Sequence, residues 1–444
     1  MIIVAAGGWI YWIVVSKFTL ASEIGHATIV INLVATISVL TQLGLEYPLL
    51  KKSSENRSKI LGTALAIELS ITVISIPIFV FLMNSVYGKS FQEFDLMAAV
   101  IMLVLVQIGF VLRSFLFGIS NVKKVLFADI FGTGARFTVG YVLVINGFGS
   151  FGLILSFLIQ YLVVVVAMFV ITKKTFDLKL GNFQYVKEVI RDGLINTPAK
   201  LARLFIISLC IVLLGAFGIN TSAVGVFYIT LMISMMAGGF ASSIAYMSIP
   251  VSSASKTDLS SNSLRIGLSL TAPLIVALTT APKQILELIG SEYSSAAMIL
   301  VILSISILPY SIVMNTISKF NNLHRSRELI ILGSIQICSF LVAFWFLVPL
   351  YGTLGGAFAF LIGFTISAIP SMFWLEKFLS KYVLVSIIAI VAGWLAGYVM
   401  NSIIGIPIVY VVFVSITITS VLVISLKNIT VSEIMQLLRE IIKR

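Results

Sequence analysis

Apolar segments separated by short polar stretches make up almost the whole chain. The segments run for about 17 to 25 residues, the length that an α-helix needs to cross the hydrocarbon core of a bilayer. None of them shows the roughly ten-residue alternation of a membrane β-barrel. The pattern therefore predicts an all-α integral membrane protein with about 14 transmembrane helices. The predicted spans are residues 2–16, 27–49, 60–84, 96–119, 125–146, 150–172, 195–217, 222–250, 266–282, 295–318, 329–349, 353–375, 382–401 and 406–426.

Composition and charge agree with a membrane protein. Hydrophobic residues make up 59% of the 444 residues and charged residues only 10%, against roughly 25% charged in soluble domains. Of the 29 lysines and arginines, 22 lie in loops on the side of the C-terminus, and only Lys17, Lys89 and Lys283 lie in the opposite loops. Because cytoplasmic loops carry the excess of basic residues, we expect a multi-pass plasma-membrane protein with both termini in the cytoplasm. The net charge of +12 then indicates no nucleic-acid partner.

The sequence also contains an internal duplication. The segment 148–159, FGSFGLILSFLI, aligns with 351–362 and superposes Gly149 on Gly352 and Gly152 on Gly355. A repeat of about 200 residues within 444 predicts two homologous halves and a remainder. We interpret the glycines as permitting a tight outer turn and a close approach of the eleventh and twelfth spans.

The duplication predicts two pseudo-symmetric six-helix lobes of the same orientation, followed by two extra helices. The linker between the lobes places Phe183, Val186, Val189 and Ile190 on one helical face, which predicts a helix lying in the headgroup plane. The C-terminal tail has a similar apolar stripe, and docking to a partner is the alternative for both segments. The predicted domains are an N-lobe (1–172), a cytoplasmic interfacial linker (173–194), a C-lobe (195–375), spans 13 and 14 (376–426) and a cytoplasmic amphipathic tail (427–444).

Charged side chains within the predicted spans are the candidates for function. A charged group inside a membrane span must face protein or water, because lipid cannot solvate it. The basic candidates are Arg113, Arg136, Lys200 and Arg203, and the acidic candidates are Glu46, Glu68 and Asp129.

Two interpretations of these charges stay open. The acids can form internal ion pairs that fix helix packing, for example Glu68 with Arg113 or Arg136, and Asp129 lies on the same face of its helix as Arg136. Alternatively, the cations line a cavity for a phosphate or diphosphate group, to which guanidinium offers a planar fork. The second interpretation is favoured for Arg113 and Arg136, because the equivalent positions of the second half are apolar. The acids could then bind a coupling proton or sodium ion.

Other chemistry has little support in the sequence. No phosphate-binding loop, nucleophile triad or metal-ligand spacing is present, so we predict neither an enzyme nor a cofactor. Cys210 and Cys338 fall within predicted spans, far from both histidines. The aromatic residues near the span ends are predicted to form an interfacial belt. They are Trp9, Tyr11, Trp12 and Tyr47.

Short glycine, proline and tyrosine motifs recur along the whole chain. The pattern P-x-Y/F-G-x-x-G-x-A opens the twelfth span with Pro349, Gly352, Gly355 and Ala357. The remaining motif residues are Gly193, Pro198, Gly225, Tyr228, Pro250, Gly290 and Tyr293. Together these motifs resemble the polysaccharide-type flippases of the multidrug/oligosaccharidyl-lipid/polysaccharide exporter superfamily. The chain departs from the family pattern at Ser208, which stands near the position of an acidic residue in many relatives, and its first helix lacks the turns equivalent to Lys200 and Arg203.

The resemblance implies a MATE-like fold, with two six-helix lobes around a central cavity. It also implies that the protein moves an undecaprenyl- or polyprenyl-diphosphate oligosaccharide from the cytoplasmic to the outer leaflet by alternating access, as a monomer. Basic cavity residues would hold the diphosphate, and the matching candidates are Arg113, Arg136, Arg203 and Lys200.

Two other functions are alternatives. A MATE-type drug/cation antiporter shares the fold, but we would expect acids in the first or seventh span. A membrane-embedded polysaccharide polymerase or glycosyltransferase would need a large outer loop with catalytic groups, and the predicted outer loops are short.

Overall fold

The computed structural model describes residues 2–53, 57–87, 93–119, 121–173, 179–255, 260–323, 325–374, 377–400 and 407–426. Throughout these ranges the regular structure is helical, which confirms the all-α prediction. The helices are α1 (Ile2–Val15), α2 (Ala21–Thr41), α3 (Glu46–Lys52), α4 (Arg57–Tyr87), α5 (Glu93–Gly118), α6 (Val122–Ile145), α7 (Gly149–Thr172), α8 (Phe183–Ala216), α9 (Thr221–Ser255), α10 (Ser260–Thr280), α11 (Pro282–Glu287), α12 (Ala297–Asn322), α13 (Ser326–Tyr351), α14 (Thr353–Trp374), α15 (Lys377–Val399) and α16 (Ile408–Ser425), with a short 3₁₀ turn at Ser291–Ala296.

The number of membrane-crossing helices differs from the prediction. Within the described ranges, 12 helices are long and apolar enough to cross a bilayer. The two predicted spans without such a helix are 2–16 and 195–217. The first corresponds to α1, which has 14 residues, and the apolar part of the second is Ile206–Ala216 within the longer α8. The count of 14 spans is therefore not confirmed. The predicted tail helix at 427–444 lies outside the described residues.

The chain divides into two compact units, Ile3–Ile229 and Thr230–Arg444. In the first unit, buried side chains of α3 to α8 form one apolar core. Its members include Leu49, Leu61, Phe115, Met168 and Val189. In the second unit, α10 packs against α12, α15 and α16, and α14 packs against α12 and α13. The lobe boundary at 173–194 rests on the sequence repeat and stays a prediction.

The linker segment is docked onto the first unit. Residues 183–194 are the first turns of α8, and the side chain of Asn182 caps them by accepting a hydrogen bond from the amide of Tyr185 at 3.0 Å. Val189 is fully buried in the core, whereas Phe183 is 84% exposed. The apolar face predicted to lie among lipid headgroups is thus divided between a protein contact and the surface.

An ion-pair cluster fastens this segment to α3. The ammonium of Lys52 lies 2.6 Å from a carboxylate oxygen of Glu188 and 3.1 Å from one of Asp192. The ring of Tyr185 lies beneath the ammonium groups of both Lys52 and Lys59. Burial alone would lower the pKa of Lys52, but the hydrogen bonds to the two carboxylates outweigh it, and the pKa is raised above its usual value.

The repeated glycines have the predicted roles. Gly149, which begins α7, and Gly352, which ends α13, have φ angles of +45° and +56°, a region that side chains disfavour. A Cβ on Gly152 would lie 2.8 Å from the Cβ of Leu143, and one on Gly355 would lie 2.8 Å from the amide nitrogen of Val348. Each glycine pair therefore permits one tight turn and one close helix approach, which confirms the interpretation for Gly352 and Gly355.

Candidate functional site

The side chain of Arg136 on α6 is buried in an aromatic environment. The residue is 6% exposed. Its guanidinium carbon lies 4.6 Å from the ring centre of Tyr11 and 4.7 Å from that of Phe157. These two rings are 6.1 Å apart and inclined at 75°. They form a corner, which we call the aromatic corner, and the guanidinium lies over both of its faces.

Ser156 and Gly140 hold Tyr11 in this corner. The hydroxyl of Ser156 donates to the carbonyl of Leu153 at 2.7 Å, so its oxygen accepts the hydrogen bond from the Tyr11 hydroxyl at 2.8 Å. Gly140 makes room for the ring, because a Cβ there would lie 2.7 Å from the Tyr11 Cε2. On the turn of α1 before Tyr11, a Cβ on Gly8 would lie 3.4 Å from Nη2 of Arg136. Gly140 thus makes the space that the Tyr11 ring fills, and Gly8 lies at ordinary contact distance from the Arg136 guanidinium.

Arg136 has no counter-ion among the described residues. No hydrogen bond or ion pair joins its guanidinium to any of them, and its buried Nε has no acceptor. Other buried polar atoms of α5, α6 and α7, which pack against one another, also lack partners within the described ranges. They are Arg113 Nε, Thr133 Oγ1 and Gln160 Oε1. A buried polar atom without a partner costs about 1–3 kcal/mol, so a polar ligand that hydrogen-bonds to these atoms would be stabilised here.

Arg113 is paired, and its partner is Asp129. Its Nη2 lies 2.5 Å from Oδ1 of Asp129. The Arg113 side chain is 43% exposed and that of Asp129 is 19% exposed. At 1.5 Å per residue, Asp129 lies about 10 Å and Arg136 about 21 Å from the first residue of α6. Tyr161 on α7 interacts electrostatically with both arginines. The site therefore has an accessible paired cation near the helix end and a buried unpaired cation further along.

The other predicted residues are placed differently. The suggested pairing of Glu68 with Arg113 or Arg136 stays a prediction, and the ion pair that the structure places on Arg113 is with Asp129. Glu68 is 1% exposed within α4, and Glu46 is half-buried at the start of α3. Lys200 and Arg203 belong to α8, but their side chains lie outside the described part of the structure.

The aromatic corner itself was missed by the sequence interpretation. Tyr11 and Trp12 are 0% and 3% exposed, so the prediction that they form an interfacial belt is wrong. The ring of Trp12 lies 5.7 Å from that of Phe157 and 4.9 Å from that of Tyr228. The available signal was the pair of glycines at positions 7 and 8, which face the side chains of Thr133 and Arg136 on α6.

Comparison with solved structures gives the fold. The chain is similar to the lipid II flippase MurJ in an inward closed conformation, with a TM-score of 0.71, 15% identity, and coverage of 95% of this chain and 96% of that one. An inward-facing multidrug resistance MATE transporter of the MOP superfamily gives a TM-score of 0.64 at 15% identity, covering 86% and 95%. A MOP superfamily transporter from Pyrococcus furiosus gives 0.51 at 16% identity, covering 86% and 92%. The predicted MATE-like fold is confirmed.

Sequence comparison gives the family. No curated protein sequence matches the chain. The family model described as polysaccharide biosynthesis protein matches residues 14–298, which is more than half of the chain. The matched region includes Arg113, Asp129, Arg136 and the aromatic residues of α7 and α9. The chain therefore belongs to the polysaccharide biosynthesis protein family.

Proposed function

We propose that this protein is a flippase that moves an undecaprenyl- or polyprenyl-diphosphate oligosaccharide from the cytoplasmic to the outer leaflet by alternating access, for cell-surface polysaccharide synthesis. One observation carries the proposal: Arg136 is a buried cation that pairs with no acid among the described residues. A charge held within a membrane helix bundle without a counter-ion favours a ligand of the opposite sign.

Phosphate is the ligand class that this geometry suits best. A guanidinium presents parallel N–H donors that match two oxygens of a phosphate group. The aromatic corner stabilises the cation from its ring faces by about 0.5–2 kcal/mol per ring, and it leaves the N–H edge free for an anion. We propose Arg136 and Arg113 as diphosphate ligands, joined by Lys200 and Arg203 of α8.

Family membership and fold support a lipid-linked substrate. The family is named for polysaccharide biosynthesis, and the MurJ protein of similar fold is described as a lipid II flippase. The MATE-type drug/cation antiporter remains the alternative from the same fold. Arg136 argues against it, because a buried cation repels a cationic drug. A polymerase or glycosyltransferase is the alternative from another class, and we propose a transporter without enzymatic activity.

The distribution of basic residues among the loops supports a proposal for location and orientation. We propose a plasma-membrane location, both termini in the cytoplasm, and action as a monomer. Glu68, Asp129 and Glu46 are the proposed carriers of a coupling proton or sodium ion.

Transport in proteoliposomes tests the proposal directly. The full chain is reconstituted, a fluorescent polyprenyl-diphosphate glycan is added, and the rate of its appearance in the opposite leaflet is measured. We expect Arg136→Ala to lower the rate at least tenfold. Arg327→Ala, which removes the same charge from an exposed position, serves as the matched control and should retain the rate. Full transport by Arg136→Ala would contradict the proposed role of this cation.

A further inference from the structure

We propose that Gln160 and Thr133 bind the first sugar of the lipid-linked substrate and determine which sugars the protein accepts. We call these two residues the sugar subsite. This proposal rests on the proposed function, because it concerns the same ligand and the region beside the same cations. Charge alone does not distinguish one neutral sugar from another, whereas a hydrogen bond to one of its hydroxyls does.

Gln160 on α7 lies one helical turn from the aromatic corner. Gln160 and Phe157 are three residues apart, so they share one face of α7, and the Phe157 ring lies under the Arg136 guanidinium. On the facing helix α6, a Cβ built on Gly132 would lie 3.5 Å from Cγ of Gln160. Gly132 precedes Arg136 by four residues, or about 6 Å along the helix axis. The Gln160 side chain therefore packs against α6 about one turn before Arg136.

Thr133 lies on α6 at the same level as Gln160. It follows Gly132 directly, and it is three residues from Arg136, so both face the same side of the helix. Asp129, which bonds to Arg113, lies one turn away in the other direction. The sugar subsite therefore lies between the levels of the two arginines that we propose as diphosphate ligands. A sugar esterified to a diphosphate at these arginines comes within reach of the subsite.

Both residues have a buried oxygen without a hydrogen-bond partner. Oε1 of Gln160 and Oγ1 of Thr133 bond to none of the residues that the structure describes. Each residue as a whole is only half-buried, so a ligand can approach it. Hydrogen bonds to a sugar are also independent of how many cations hold the diphosphate, including Lys200 and Arg203.

A phosphate diester does not suit these atoms, and a sugar does. The oxygen of a carboxamide only accepts hydrogen bonds, and a phosphate diester at neutral pH has no proton to donate. A sugar hydroxyl both donates and accepts, and the N–H of an acetamido group donates. The amide of Gln160 offers an acceptor beside donors, and the hydroxyl of Thr133 offers one of each. The pair therefore fits two neighbouring polar groups of a sugar.

The experiment compares lipids that carry the same charge with and without a sugar. Short-chain isoprenyl diphosphates are esterified to glucose, galactose, N-acetylglucosamine or, as the sugarless probe, methanol. All four probes are diesters, so the diphosphate has the same charge in each. Their dissociation constants are measured with the full-length protein in nanodiscs. For the wild type we expect at least one sugar probe to bind about tenfold more tightly than the methyl ester.

Variants then separate sugar binding from diphosphate binding. Gln160→Met keeps the length of the side chain but removes the amide, so a bound sugar is left with an unpaired hydroxyl. It should weaken the preferred sugar probe about tenfold and leave the affinity for the methyl ester unchanged. Thr133→Val, which has the same shape as threonine, should show the same selective loss. Arg136→Ala should weaken all four probes alike, and Gln284→Met at an exposed position is the matched control that should weaken none.

Equal affinity of the wild type for all four probes would overturn the sugar subsite while leaving the proposed function in place. An equal loss for the sugar probes and the methyl ester in Gln160→Met would also overturn it, because the glutamine would then support the cations. Failure of the wild type to bind any probe would overturn the proposed function as well. If Gln160→Met does not fold, Thr133→Val decides: a loss confined to the sugar probes supports the proposal, and no loss or an equal loss contradicts it.

Discussion

Gly25 on α2 and Gly225 on α9 pack backbone to backbone. A Cβ built on Gly25 would lie 2.9 Å from the amide nitrogen of Gly225, and one built on Gly225 would lie 2.8 Å from that of Gly25. Each would also overlap a carbonyl oxygen of the other helix, that of Thr221 or of Ala21. Gly25 and Gly225 are 200 residues apart in the sequence, and so are Ala21 and Thr221. The duplication is therefore visible as a reciprocal contact between equivalent turns.

Alanine at either glycine should destabilise the protein. Because the neighbouring atoms belong to the backbone, they cannot move aside, and we expect a loss of about 1–3 kcal/mol for Gly25→Ala and a similar loss for Gly225→Ala. The measurement is the midpoint of thermal unfolding in detergent. Gly134→Ala on α6 is the control, because a Cβ there meets no atom within 4 Å; it should leave stability equal or slightly raised. Equal midpoints for all three variants would refute the close approach.

Replacing Arg136 by methionine should stabilise the protein while abolishing transport. An unpaired charge in a buried position costs free energy, and an apolar residue of similar length removes that cost. We expect a gain of about 1–3 kcal/mol, seen as a higher unfolding midpoint, together with the loss of flippase activity. Arg327→Met at an exposed position provides the comparison and should change neither quantity by much. A strong loss of stability in Arg136→Met would instead indicate a purely structural arginine.

Changes at Tyr11 should separate its ring from its hydroxyl. Tyr11→Phe keeps the face beneath the Arg136 guanidinium and loses only the bond to Ser156, so the affinity for a lipid diphosphate should fall less than threefold. Tyr11→Leu removes the cation–π contact, worth about 0.5–2 kcal/mol, and should weaken the affinity several-fold. Titration of both variants with the same lipid diphosphate measures their affinities. Equal affinities for Tyr11→Phe and Tyr11→Leu would show that the ring does not orient the guanidinium.

The cluster around Lys52 should contribute to stability over a defined range of pH. Because its pKa is raised in the folded protein, its contribution is complete below the ordinary lysine value of about 10.4 and is lost as the pH rises through the raised value. Lys52→Met should destabilise the protein by about 2 kcal/mol at pH 8. The difference between wild type and variant should shrink above about pH 10.4. Unfolding measured against pH checks this, and a difference that grows with pH would contradict the assignment.

Much of the architecture could be predicted because it depends on local pattern. The length of the apolar segments predicts helices, and the glycines at 352 and 355 predict a turn and a close approach whose causes are the φ angle and the missing Cβ. The count of spans could not be predicted in this way, because α1 has only 14 residues and the apolar end of α8 continues a helix that starts at the surface.

The contacts of the site could not be predicted in the same way. Asp129 and Arg136 share one face of α6, yet Asp129 bonds to Arg113 because the turn between α5 and α6 places the two helix ends side by side. Tyr11 is buried because its ring packs against Gly140 of α6 and its hydroxyl bonds to Ser156 of α7. Both residues lie more than 120 positions away in the sequence. Gly7 and Gly8 indicate that α1 packs against another element but do not identify Gly140 or Ser156, so only the tertiary structure distinguishes a belt residue from a core residue.

The aromatic corner also bears on the half of a transport cycle in which nothing is carried. A carrier that has released its substrate must return to its starting conformation with its binding groups unoccupied. A buried guanidinium without any stabilising contact would slow that return. Ring faces attract the cation without neutralising its charge. The two rings therefore stabilise Arg136 modestly when no ligand is bound, and the guanidinium keeps its whole charge to attract the next anion. Tyr11 and Phe157 would therefore govern the rate of the unloaded return as well as the strength of binding.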